Sequence, residues 1–97
     1  MLMSKTVSKG DIICCKLISG EEIIGRLDNE TKEYIEVNQP LAATLSSKGI
    51  GMIPWLFLGG KDTVQIKHSH ILAMVECKKD AADQYISSTT GIDIGRY

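Results

Sequence analysis

Two groups of side chains in this sequence could do chemistry. Lys67, His68 and His70 fall together in "TVQIKHSHILAMVE", Thr63 to Glu76, which holds both histidines of the chain. Cys14 and Cys15 are adjacent, and Cys77 stands alone. A lysine beside two imidazoles suits a metal ion, a proton transfer or a phosphate, and each of these needs different company. Zinc needs a tetrahedral set of nitrogen and sulfur ligands. The available set, Cys14, Cys77, His68 and His70, has no recognised zinc spacing. Neighbours along a strand point to opposite faces, so Cys14 and Cys15 are poorly placed to pair with each other. With no CxxC and no disulfide framework, the three cysteines read as small buried hydrophobes in a reducing compartment. Catalysis needs a nucleophile and base held by a third group, or two facing carboxylates. No such order appears, and no phosphate loop, so the chain reads as a non-enzyme without metal or cofactor. Anion contact by Lys67 and His68 remains, beside the plainer reading of His68 as a hydrogen-bonding turn residue.

Length and charge bound what can position these groups. Ninety-seven residues make one domain. Apolar residues at 43% and charged residues at 24% describe a globular chain. A net charge of −1 gives no whole-molecule pull toward nucleic acid or membrane, so any anion site is a local patch. No apolar run approaches the ~20 residues of a membrane-spanning helix. Ser4, Lys5, Thr6 and Ser8 stand where a signal peptide needs apolar residues. The cytoplasm is the expected location.

The elements are mainly strands. "IICCKLI" (Ile12 to Ile18) is β-branched and apolar, and "SGEE" turns the chain. "EEIIGRLD" alternates, with Ile23, Gly25 and Leu27 on one face and Glu22, Ile24, Arg26 and Asp28 on the other. "KEYIEVNQPLAATL" extends a third segment with Ile35 and Val37 inward, and Pro40, lacking an amide hydrogen, belongs at an edge or a bulge. "IGMIPWLFL" is apolar, broken by Pro54, and "GGKD" ends it. "TVQIK" and "HILAMVE" read as two strands joined by a tight turn at His68 and Ser69. In "KKDAADQYISSTTG", Ala81, Ala82, Tyr85 and Ile86 share one face of a short helix that Gly91 would end.

Five or six short strands in so short a chain predict an all-β, strongly bent barrel. Two segments resist that picture. "MIPWLFL" and "HILAMV" do not alternate, so both faces should be buried, whereas a small barrel covers only its inner face. A second copy of the chain is the simplest cover, and a heterologous contact would close a ring. Ile53, Trp55, Phe57, Leu72 and Met74 are the expected contact residues. A charge at Met74 should split the assembly unless Met74 faces the barrel interior.

Two motifs resemble a known family. Leu17, Gly20, Ile23, Gly25 and Leu27 in "LISGEEIIGRL" look like the first motif of the Sm-like proteins. Gly20 serves a hairpin turn, and Gly25 lets a curved strand bend. "VQIKHSHILAMVE" resembles the second Sm motif, and more closely the Lys-His pair of bacterial Hfq, with Lys67 and His68 at those positions and Ile66 and Ile71 flanking them. In style the chain is similar to compact, divergent Sm-like proteins encoded by phages, which would place it in the host cytoplasm. The resemblance implies a five-stranded, SH3-like (Sm-like) barrel over about residues 10–77, while the segment from Gln39 to Asp62, longer than that pattern, suggests an extended hairpin carrying Pro54, Trp55 and Phe57. A short C-terminal helix and tail follow over 78–97. It also implies rings of about five to seven subunits joined through edge strands, and single-stranded RNA bound at the pore.

The departures from the pattern fall on that function. Thr31 aligns where the family has a supporting Asp, Glu33 where a base stacks, and Ile35 where an Asn reads the base. A slip of one residue brings Tyr34 to the stacking position but misplaces the core face. The expectation is therefore an Sm-like homo-oligomeric ring that binds single-stranded RNA through a reduced pore site at Lys67 and His68. The alternative is a homo-oligomeric scaffold or assembly module that has lost RNA binding.

Overall fold

The structure is a computed structural model and describes residues 7–56 and 58–91. Six strands make one antiparallel sheet: β1 (Ile12–Leu17), β2 (Glu22–Glu30), β3 (Tyr34–Ser46), β4 (Gly49–Pro54), β5 (Thr63–Lys67) and β6 (Ile71–Glu76). The order across the sheet is β4-β3-β2-β1-β6, with β5 also on β3. A 3-10 turn, His68–His70, joins β5 to β6, and the helix α1 (Lys79–Ile86) follows β6. The expected all-β class, long hairpin and short C-terminal helix are all present. The sheet curls around its core without closing, since among the described residues no ladder joins β5 to β6. No helix among them is long and apolar enough to cross a membrane.

The long third strand explains the curl. Its first half, Tyr34 to Asn38, pairs with β5, and its second half, Leu41 to Ser46, pairs with β4. Between them Gln39 adopts a φ of +47°, and the β2–β3 register slips between Ile24 and Arg26. This is the bulge that Pro40 announced. Asp62 O accepts from Gln39 N at 2.6 Å and Pro40 O accepts from Trp55 N at 3.1 Å, so the chain leaves the sheet after β4 and rejoins it at β5 through the bulge. Gly25 faces the same point. A Cβ there would fall on Val37 Cγ1 and come within 3.2 Å of Asn38 O, so only glycine lets the two strands approach.

The bulge also switches which face of β3 is apolar. Ile35 and Val37 point into the inner core with Ile13, Ile23, Leu27 and Ile66. Beyond the bulge Leu41 points to the opposite face, where it joins Ile12, Ile24 and Tyr85 in a second core. Ile24, expected on the outward face of β2, is therefore buried at 3% exposure beneath α1. Ala81 and Ala82 pack there as the helix face predicted, with Tyr85 buried and Ile86 left exposed. The Tyr85 hydroxyl donates to Asn38 O at 2.7 Å, with Gln39 O 3.0 Å away, so the helix supplies the missing partner for the bulge. Burial pushes this hydroxyl above its ordinary pKa.

The cysteines depart from expectation. Cys14 and Cys77 form a disulfide, their Cα atoms 5.5 Å apart, because β1 and β6 are neighbours in the sheet. The bond lies against the second core, two residues before α1 begins. Cys15 points the other way, buried among the inner core, and burial raises its thiol to about 12. Only Cys15 matches the reading of a reduced packing cysteine.

The expected contact residues divide. Met74 is buried at 5% exposure in the inner core, so a charge there would damage the fold itself. Trp55 is half-buried against the same core and donates its Nε1–H to Glu21 Oε2 at 3.0 Å. Leu72 and Ile53 are open to solvent at 63% and 43% exposure. Phe57 and the tail from Ile92 to Tyr97 lie outside the described residues.

Candidate functional site

Lys67 ends β5 in extended conformation directly opposite Tyr34, the first residue of β3. Paired residues share a face, and their neighbours Ile35 and Ile66 point into the core, so Tyr34 and Lys67 lie together on the outside. Lys67 is exposed and Tyr34 half-buried. The turn from Glu30 to Tyr34 stands beside them. Thr31 shapes it: its Oγ1 accepts from Glu33 N at 3.2 Å and Tyr34 N at 3.1 Å, while Thr31 N donates to Tyr34 O at 2.8 Å. A hydroxyl here does the turn-closing work that a short carboxylate can do.

His68 is committed to this same turn. Its backbone N–H donates to Glu33 O at 3.0 Å, and its Nε2 lies 2.9 Å from Thr31 O, a carbonyl that can only accept. Nε2 therefore carries a proton. Glu30 Oε2 is 3.5 Å from the same nitrogen, and the ring is 14% exposed. Nδ1 is buried with no hydrogen-bond partner. In this arrangement the imidazole fastens the β5–β6 turn to the β2–β3 turn, the plainer of its two expected roles. His70 is exposed, and its backbone carbonyl accepts from Ile18 N at 2.9 Å.

Of the two expected pore residues, then, Lys67 is exposed with no ion-pair partner among the described residues, and His68 holds the scaffold. The surrounding charges nearly cancel, with Lys32 and Lys67 against Glu30 and Glu33. One lysine beside one tyrosine can take a phosphate and a stacked ring, but a single subunit does not focus anions. Cys14 and Cys77, bonded to each other, are not available to a metal, and among the described residues no three His, Cys, Asp or Glu side chains are grouped to hold one.

Two features escaped the sequence reading. The Cys14–Cys77 pair needed the strand order, which the spacing of 63 residues hides. The second core needed the bulge at Gln39 to switch the face of β3. Once β1 and β6 are set side by side, Cys14 and the end of β6 fall next to each other, and no local pattern in the sequence signals that pairing. No protein-family model matches the chain, and no curated protein sequence matches it either.

Proposed function

We propose that the chain is a self-assembling module of Sm-like architecture, whose copies join by pairing the outer edge of β5 with the outer edge of β6. The strand order β6-β1-β2-β3-β5 and the 3-10 turn between the last two strands support the SH3-like reading. One observation carries the assembly: among the described residues β5, beside β4 on one margin of the curled sheet, and β6 on the other are each paired on one side only. Leu72 and Val75 stand on β6 at 63% and 58% exposure. Two open edges at opposite ends of one sheet, one with apolar side chains, suit a heterologous contact that repeats and closes. Native mass spectrometry and sedimentation equilibrium test this. The expected result is a ring of about five to seven copies that Leu72→Lys reduces to smaller species while each copy stays folded. A wild-type monomer at micromolar concentration would refute it.

Single-stranded RNA binding is a second reading, favoured by one observation, the juxtaposition of exposed Lys67 with Tyr34. In a ring each such pair recurs once per subunit, so a single lysine becomes a circle of charge. The reading predicts uridine- or adenine-rich oligonucleotide binding that weakens steeply with salt. Lys67→Ala should lower affinity and flatten the salt dependence, whereas Lys61→Ala should change little. No binding by the wild type at low salt would leave the assembly reading alone.

A further inference from the structure

The outer face of the β3–β4 hairpin is apolar along its length, and only half of it is covered. Leu41 and Met52 lie against α1, with Ala81 and Ala82 above them. Toward the hairpin tip the same face opens as a groove of about 390 Å³, floored by Ile24, Ala43 and Met52. Leu45 and Ile50, directly paired across the hairpin, stand at its mouth at 84% and 58% exposure. Glu22, one position before Ile23 on β2, forms part of the rim. Glu21 beside it is already engaged by Ser19 Oγ and Trp55 Nε1, and Lys16 donates to Gly20 O. Glu22, like Lys48 at the hairpin tip, has no ion-pair partner among the described residues.

We infer that this groove is occupied by the hairpin of a second copy of the chain, in a two-fold contact whose axis passes through the Leu45–Ile50 pair. The ladder register carries the argument. The turn residues Ser47 and Lys48 lie two rungs beyond Leu45–Ile50 in one direction. Two rungs in the other direction lies Ala43–Met52, and since Ile23 pairs with Ala42, Glu22 stands level with that rung. A hairpin laid antiparallel over its copy therefore brings Lys48 of each above Glu22 of the other, while Leu45 and Ile50 cover one another. Apolar centre and unpaired charges at the rim are both self-complementary, which an isologous contact requires. The contact is separate from the β5 and β6 edges proposed above. Together the two would stack a pair of rings, and the hairpin contact alone would give a dimer.

Native mass spectrometry on the full chain separates the cases. Leu45→Glu, at a residue so exposed that the fold does not depend on it, should halve the mass of the assembly, whatever its size. Lys48→Glu and Glu22→Lys should each weaken the pairing several-fold, and the double exchange should restore it. A wild type seen as a dimer without rings would uphold this contact and sink the ring proposal. Equal masses for the wild type and Leu45→Glu would overturn the contact, as would a double exchange that restores nothing. Binding of an apolar peptide or fatty acid in the groove, with the mass of the wild type unaffected by Leu45→Glu, would assign the groove to that occupant and overturn the inference.

Discussion

Reducing the Cys14–Cys77 disulfide should cost the protein a large part of its stability. The bond closes a loop across a sequence separation of 63 residues. Loop-closure entropy for that length corresponds to about 4 kcal/mol taken from the unfolded ensemble. Unfolding a chain of 97 residues carries an entropy of about 0.2 kcal/mol per kelvin, so the melting temperature should fall by about 20 °C on reduction. A local effect should precede the global one. Cys77 lies two residues before α1, and the helix starts without a side-chain cap, so loss of the bond leaves it anchored chiefly by Tyr85. Amide exchange over Ala81 to Tyr85 should therefore quicken on reduction at temperatures where β2 and β3 still resist. The assay is a thermal melt followed by circular dichroism, with and without a phosphine reductant, beside a Cys14→Ser/Cys77→Ser double variant. That variant should melt near the reduced wild type and ignore the reductant. Three free thiols in the native, unreduced protein would refute the pairing, and an unchanged melting temperature after two thiols are released would refute the magnitude.

Other outcomes follow from single side chains. Cys15, its thiol pushed to about 12 by burial, should resist alkylation at pH 8 in the reduced native protein, so labelling should stop at two thiols and reach three only on denaturation. Tyr85→Phe leaves the Asn38 and Gln39 carbonyls without their donor and should cost about 1–3 kcal/mol in urea titration. Because burial holds the Tyr85 phenol above 10.0 in the fold, its contribution is full at lower pH and lost as pH rises through that raised value; the variant should lack this part of the alkaline destabilisation. Gly25→Ala sets a methyl against Val37 Cγ1 and Asn38 O and should cost about 1–3 kcal/mol through forced separation of β2 and β3.

Strands and turns were legible where short-range chemistry decides them. Alternation in "EEIIGRLD", the β-branched run at Ile12 and the breakers around Gly20 and Gly60 place elements close to where they occur. Pro40 marked its bulge because it has no amide to give a ladder. Met74 faces the interior, the exception its expected contact role allowed, for an equally physical reason. Strict alternation sets Ile71 and Met74, three positions apart, on opposite faces. The β1–β6 ladder slips between Lys16 and Leu17, pairing Leu17 with Ile71 and Lys16 with Ala73. Leu72 is pushed out of register and both Ile71 and Met74 turn inward. Of the site, the turn at His68 was legible, and its use was not. That depended on Thr31 O reaching Nε2 across 37 positions of sequence, which no local pattern encodes.

Two-sided apolar strands predict a second copy of the chain, and the bulge shows a cover that this expectation leaves out. A strand buried on both faces needs two covers, but the chain can supply the second itself. At Gln39 the apolar side of β3 changes face, Leu41 is delivered to the outside, and α1 returns to cover it with Tyr85 tied to the bulge that made the change. The helix has only eight residues, Lys79 to Ile86, and at 1.5 Å per residue it spans about 12 Å. Met52 lies within its cover, while Ile50 and Leu45 lie further toward the tip and stay exposed. Apolar surface that the helix does not reach remains at the hairpin tip and on the outer side of β6, and also at Ile18, at Ile53 on β4 and at Leu56 and Leu58 beyond it. The hairpin tip, where Leu45 pairs with Ile50, and the open side of β6, with Leu72 and Val75, are the two of these surfaces on which assembly is proposed.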